Sequence, residues 1–401
     1  MNRKALTHGF CAVLIAICGC GKPTPPHFAD RLKAYPTPPT NAAFDRLMQA
    51  ADMIEKSCAQ YLGKSELTVT EKRRAIAAAE PAIEHIRTAL TPIPEYVYVP
   101  VGPLQPSKHR RGWAFLGSVL MWKAHDQISS DNVDAACETV ALAIRFGTAI
   151  SGGDAFDMNL GFTIVSDSAG ELWDRLFAAS PSALRGLYSQ ILVALKSGPE
   201  IAHSLRSEST NMLAVVNAYQ DAFQKNELAQ FSEALGQQYR PAFEYLDKLR
   251  SESPAEQVEY FDSFAGRAEL ISNQVSKATS QATHLWEEQQ FEKPDAPWWR
   301  LADVYFSQAA KMPGWYLKNQ SLLRILGVRA ALTARLRSGQ ALPSTIARLP
   351  AIIRTDVYSG KDLMYHSQGS DFKLYSVGPD RRDDGGEGGP TGVSPDLVFG
   401  R

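Results

Sequence analysis

The sequence lacks a surplus of charge of either sign. Its 401 residues include 42 Lys and Arg against 43 Asp and Glu, so there is no strong field to attract nucleic acid or an anionic bilayer. It also lacks a long hydrophobic run near its start: the apolar stretch from Phe10 to Cys18 has only nine residues, too few to cross a membrane. An apolar content of 44% excludes a disordered chain and predicts one large or two ordinary domains.

The sequence further lacks the short motifs of several large enzyme classes. It contains no His-Glu-x-x-His zinc motif, no Gly-x-Ser-x-Gly nucleophile turn and no glycine-rich phosphate loop. Catalytic groups can still be brought together from distant parts of a chain. The absence of motifs therefore leaves open an enzyme whose site is assembled only by the fold.

The N-terminal residues have the pattern of an export signal. Arg3 and Lys4 precede the nine-residue apolar run, which has the length of a signal-peptide core. Ile17-Cys18-Gly19-Cys20 then resembles the lipobox of bacterial lipoproteins. The resemblance implies that residues 1–19 are a signal peptide and that Cys20 is lipidated, with enough acyl chains for stable attachment to a membrane. An ordinary signal peptide and an uncleaved N-terminus are the alternatives.

A proline-rich tether is predicted to follow the anchor over residues 20–40. Its six prolines from Pro23 to Pro39 favour an extended backbone of about 3.1 Å per residue. Gly21 stands where lipoproteins kept at the inner membrane usually have Asp. By analogy with that family, the expected location is the cell envelope, at the outer membrane facing the periplasm.

Two of the five cysteines remain once the leader cysteines Cys11 and Cys18 and the lipidated Cys20 are set aside. These are Cys58 and Cys137. An oxidising envelope compartment permits a disulfide between them. Both also lie on apolar faces of predicted helices, so two buried free thiols are the alternative.

Residues 41–319 are predicted to form an all-helical body of packed helical hairpins. Apolar residues recur there at helical spacing, and no strand pattern interrupts them. Thr68 and Glu71 have the spacing of a capping box. Prolines from 92 to 106 predict an extended crossover in which Tyr96 and Tyr98 either line a groove or pack as part of a loop. The last helices are expected at 297–311 and 315–337.

The final eighty residues change from a helical pattern to short β runs around glycines. Phe372, Leu374 and Ser376 alternate with Lys373 and Tyr375, which is typical of a strand covered on one face. The turn from Ser367 to Asp371 is predicted to join two such strands into a hairpin. Residues 320–401 are therefore expected to form a small α+β module.

This module resembles the globular head of the major pseudopilin of type II secretion, especially at Tyr375-Ser376-Val377-Gly378-Pro379-Asp380 and Gly385-Gly386-Glu387-Gly388. The resemblance implies a calcium-binding loop that uses the carbonyl of Val377 and the carboxylates of Asp380 and Asp396, with Asp383 and Asp384 as further candidates. Oxygen ligands and flexible glycines suit calcium, and a polar tail without an ion is the alternative. The N-terminal polymerisation helix of pseudopilins has no counterpart, so fibre formation is not implied.

Together these features favour a membrane-anchored envelope lipoprotein that is a non-catalytic binding or scaffold protein. Its C-terminal loop would be stabilised by calcium, and its partner would be another envelope protein rather than nucleic acid. The alternative is a surface-anchored hydrolase or carbohydrate-binding protein with a site in a groove between helices.

Overall fold

The structure, a computed structural model, describes residues 41–97, 108–229, 240–281, 299–386 and 396–398. The signal peptide, Cys20, the tether and Tyr98 lie outside this part of the chain. The described residues are mainly helical with one two-stranded antiparallel sheet, which confirms the predicted mainly α class. None of the described helices is both long enough and apolar enough to cross a membrane.

The first five described helices surround one hydrophobic core. They span Ala42–Ser57 (α1), Val69–Ala89 (α2), Lys108–Ser129 (α3), Val133–Ile150 (α4) and Ala155–Trp173 (α5). Polar caps fix where they begin. The side chain of Asn41 accepts the N–H groups of Ala43 and Phe44 at 3.1 and 3.2 Å, and Thr68 and Glu71 form the predicted capping box.

After a 3₁₀ turn at Leu176–Ala178, the helix Pro181–Ser197 (α6) packs in the first core. The next three helices build a second core and span Ile201–Lys225 (α7), Arg240–Leu249 (α8) and Pro254–Thr279 (α9). Aromatic residues from α7, α8 and α9 meet in this second core, including Tyr219, Phe243 and Phe261. The start of α5 also belongs to the second core, whereas its later turns pack in the first. α5 therefore connects the two cores.

One long helix, Trp299–Arg337 (α10), runs through both cores. The prediction of two separate helices at 297–311 and 315–337 is wrong, because Pro313 lies inside a continuous helix. Proline has a helix-compatible φ and removes one backbone donor. Burial of Met312 and Leu317 in the second core on either side of it favours the unbroken helix. Beyond them, Leu323 and Leu326 pack in the first core.

The C-terminal module consists of a short helix, Ala351–Arg354 (α11), and the hairpin Met364–Gln368 (β1) and Asp371–Tyr375 (β2). The strands pair from Met364↔Tyr375 to Gln368↔Asp371, so the predicted hairpin is present. Gly369 has φ +62° in its turn, a conformation that glycine favours. The prediction that only one face of β2 is buried fails at Tyr375. This residue is 1% exposed, and its neighbour Leu374, which points to the opposite face, is also buried.

The module shares the first core with the helical body rather than standing apart from it. Ile353, Leu363 and Leu374 pack in the same cluster as the helices before residue 320. The predicted domain boundary at residue 320 also falls inside α10. Because of this shared core, the module is held against the body at the carboxyl end of α10.

Candidate functional site

Three buried acidic side chains lie where the two cores meet. Asp154 and Asp157, at the start of α5, are 0% and 1% exposed, and Glu208 of α7 is 1% exposed. Asp154 is also the N-cap of α5, because its Oδ1 accepts the N–H groups of Phe156 and Asp157 at 3.0 and 3.1 Å. Fully buried carboxyl groups are rare unless they are paired. Their partners therefore decide what this place in the fold can do.

Arg110, in the first turn of α3, neutralises the two aspartates. Its Nε donates to Asp157 Oδ1 at 2.6 Å, and its Nη2 donates to Asp154 Oδ2. The Tyr96 hydroxyl donates to the other oxygen of Asp157 at 2.5 Å. The Arg110 cation of α3 thus binds both aspartates at the start of α5. The Tyr96 phenol, in the segment that follows α2, binds Asp157 as well. We call Tyr96, Arg110, Asp154, Asp157 and Glu208 the buried network.

Glu208 is the least satisfied member of the buried network. Its Oε2 accepts the N–H of Ala155 at 2.7 Å, but its Oε1 has no hydrogen-bond partner among the described residues. Burial, and then the nearby Asp154 carboxylate, raises the pKa of Glu208 to about 8. The side chain is therefore mainly a neutral acid at pH 7.

The pKa values of two further groups near Arg110 are shifted by the same physical causes. Burial, and then the neighbouring Asp157 carboxylate, raises the pKa of Asp154 to about 6. Burial, and then the adjacent Arg110 cation, lowers the pKa of His109 to about 4. The region around Arg110 thus holds one cation beside two aspartates, together with a neutral acid and a neutral imidazole at pH 7.

The buried network has the character of a structural joint. The Ser204 and Ser207 hydroxyls of α7 donate to the carbonyls of Ser151 and Gly152 at 3.0 and 3.3 Å, which fastens α7 to the loop before α5. Within the described ranges, no group of three or more His, Cys, Asp and Glu side chains has the arrangement of a metal site. Tyr96 is part of this packed joint, its ring 4.7 Å from that of Phe44. Of the two predicted arrangements for Tyr96, the structure has the packed loop.

A surface groove lies elsewhere, between α6, the carboxyl end of α10 and the segment 340–349. Its volume is about 810 Å³. Arg185 of α6, Arg335 of α10 and Arg348 of the segment line it, and we call it the arginine groove. Most of the other lining residues are apolar or carry a hydroxyl, including Leu332, Ile346, Leu349, Tyr188, Ser189, Ser338, Ser344 and Thr345. Its described lining contains no acidic side chain, histidine or cysteine.

The predicted calcium ligands are placed around the end of β2. Asp396 Oδ2 accepts the N–H groups of Asp384 and Gly386 at 3.0 and 2.7 Å, while its buried Oδ1 has no partner among the described residues. The side chain of Asp380 accepts the N–H of Arg382 at 3.1 Å. Burial raises the pKa of Asp396.

The remaining candidates make other contacts. Asp383 accepts the Tyr375 hydroxyl at 2.7 Å, a bond that lowers the pKa of this aspartate. The Val377 N–H donates to Asp356 Oδ2 at 3.0 Å. Residues 387–395, which complete the loop, lie outside the described part of the chain, so calcium binding stays a prediction.

Cys58 and Cys137 are free thiols, and both are buried. This is the two-thiol arrangement rather than the bridge. The Cys58 sulfur lies 3.9 Å from the carbonyl oxygen of Ala75. Burial raises the pKa of Cys137 to about 12, so its reactive thiolate form is scarce at neutral pH.

Comparison with protein-family models, with curated proteins and with solved structures finds no match to this chain. The functional interpretation therefore depends on the geometry and chemistry of the chain itself.

Proposed function

We propose that the protein is a lipid-anchored binding protein of the cell envelope that holds a protein partner without transforming it. The lipobox ending at Cys20 and the proline-rich tether support the anchor. The expected location is the outer membrane, facing the periplasm. Fatty-acid labelling of the wild type and of Cys20→Ala tests the attachment.

The observation that carries the binding part of the proposal is the composition of the arginine groove. Guanidinium groups, hydroxyls and aliphatic side chains line it, and such groups recognise a ligand by charge, hydrogen bonding and burial. General acid–base or nucleophilic catalysis uses groups that exchange a proton or attack near neutral pH. The buried network has such carboxyl groups, but their hydrogen bonds and ion pairs join α3, α5 and α7 where the two cores meet.

In this proposal the C-terminal module is a pseudopilin-like cap whose loop binds calcium. Asp380, Asp396 and the carbonyl of Val377 would supply ligands, with Asp383 and Asp384 nearby in sequence. Support comes from Asp396 Oδ1, a carboxylate oxygen that is buried and without a partner among the described residues. Hard oxygen donors of this kind are those that calcium takes.

Calcium is expected to raise the melting temperature of chelator-treated protein, because an ion that binds only the folded state stabilises it. The variant Asp380→Ala/Asp396→Ala should lose that response. Glu66→Ala/Glu259→Ala removes two exposed carboxylates elsewhere and should keep it. Differential scanning calorimetry measures the shift. A wild type whose melting temperature is unchanged by calcium would remove the metal from the proposal.

A further inference from the structure

Acidic residues are missing from one long part of the chain. Over the whole sequence they are as frequent as basic ones, 43 against 42, yet residues 304–355 contain none. This stretch covers most of α10, the segment 340–349 and α11. It contains eight basic residues: Lys311, Lys318, Arg324, Arg329, Arg335, Arg337, Arg348 and Arg354.

A second acid-free part of the chain packs against the first. Residues 175–199, which include all of α6, contain Arg175, Arg185 and Lys196 but no Asp or Glu. α6 and α10 pack side by side, and the arginine groove runs between them. Two parts of the chain without negative side chains therefore meet at one surface, although the protein as a whole is nearly neutral.

Among the described residues, no carboxylate engages the three arginines of the groove. No ion pair joins Arg185, Arg335 or Arg348 to an acidic side chain in the described ranges; Arg335 donates its Nε to the carbonyl of Ala341 at 2.5 Å. By contrast, Arg110 and Arg354 each bind aspartate side chains. The guanidinium groups at the groove are exposed and remain available to a ligand.

The backbone only partly offsets this charge. The carboxyl end of α10 lies at the groove and contributes about half a negative charge. Three guanidinium groups outweigh it. Arginine is also suited to carboxylates, because its planar group donates two parallel hydrogen bonds to one of them.

The size and floor of the groove favour a peptide over a small anion. Its volume of about 810 Å³ is far more than a lone phosphate or carboxylate fills. Leu332, Ile346 and Leu349 give it an apolar floor beside the charges. An extended segment that alternates acidic and apolar side chains would satisfy both parts of the lining, since successive side chains of an extended chain point to opposite sides.

We propose that the arginine groove binds an acidic, partly apolar peptide segment of a protein partner. The inference rests on the proposed binding function and gives it a ligand class. Carboxylates of the segment pair with Arg185, Arg335 and Arg348, while its apolar side chains cover the floor of the groove.

Fluorescence anisotropy with a labelled peptide of about eight alternating Glu and Leu residues tests this. The wild-type protein should bind the peptide, and binding should weaken as salt is added. Arg185→Glu/Arg348→Glu should weaken binding about tenfold or more, because it replaces two attractions by repulsions. The matched pair Arg46→Glu/Arg206→Glu makes the same charge change at exposed arginines outside the groove and should bind within about twofold of wild type.

Three outcomes would overturn the proposal: no binding to wild type, equal losses in both reversal pairs, or equal binding of a peptide with Gln in place of Glu. A single-stranded oligonucleotide of similar charge serves as competitor, and a preference for it would also contradict a protein ligand. Circular dichroism confirms that each variant is folded. If the peptide-binding test fails, an acidic peptide is ruled out as the ligand, but lipidation of Cys20 is unaffected. This result is therefore distinguishable from failure of the proposed anchor.

Discussion

Arg110→Ala is expected to lower the free energy of unfolding by about 3–5 kcal/mol, because it leaves buried carboxylates without their cation. Arg110 is the only arginine in the described ranges that contacts both Asp154 and Asp157, and those two side chains are 0% and 1% exposed. Removing one partner of a buried ion pair costs far more than the pair itself contributes. Urea unfolding followed by circular dichroism measures the change.

The next residue provides a matched control. Arg111 makes an ion pair with Glu55, but its side chain is 63% exposed. Arg111→Ala should therefore cost no more than about 1 kcal/mol. The destabilisation by Arg110→Ala should also shrink when the pH is lowered from 7 to 5, because the unpaired Asp154, whose pKa burial already raises to about 6, can then take up a proton. Equal effects of the two substitutions would mean that the buried network does not hold the cores together.

Stability is expected to fall as the pH rises from about 5 to 8, and Glu208→Gln should remove much of that dependence. The pKa of Glu208 in the folded protein is about 8, against about 4.3 for an exposed glutamate. Between these values the unfolded chain loses its proton while the folded protein keeps it, so a rising pH favours unfolding. The contribution is complete below the unfolded pKa and is lost by the time the pH passes the folded one.

The largest slope from one such group is about 1.4 kcal/mol per pH unit. Asp154, whose pKa of about 6 is also raised, adds a slope of the same sign at lower pH. Urea unfolding of wild type and Glu208→Gln from pH 5 to 9 measures the difference, and Glu227→Gln, at an exposed position, is the control. Parallel curves for wild type and Glu208→Gln would show that this carboxyl is not held neutral in the folded protein.

Local features of the fold could be predicted from the sequence because local chemistry determines them. The capping box of Thr68 and Glu71 and the hairpin turn around Gly369 depend on residues within a few positions. The continuity of α10 through Pro313 could not be predicted, because it depends on burial against distant helices. Tyr375 was expected on the open face of β2, but residues beyond the strand contact it: its hydroxyl donates to Asp383 and its ring lies beside Gly386.

The buried network was not predicted because its members are distant in sequence: Arg110 and Asp154 are 44 residues apart. One signal was present. Glu208 lies three residues after Leu205 and four before Met212, on the buried stripe of α7, and an acid on an apolar stripe indicates a specific partner. The absence of acidic residues from 304–355 was equally visible in the sequence. Only the packing of α6 on α10 shows that this part of the chain and α6 form one groove.

Mass spectrometry of the protein purified from membranes tests the lipid-anchored binding function most directly. The mature chain should begin at Cys20 and carry a diacylglyceryl group and an amide-linked acyl chain, so that it fractionates with membranes. The variant Cys20→Ala should incorporate no labelled fatty acid. A mature protein that begins at another residue, or one whose Cys20 carries no lipid, would contradict the proposed anchor and with it the place of this protein in the envelope.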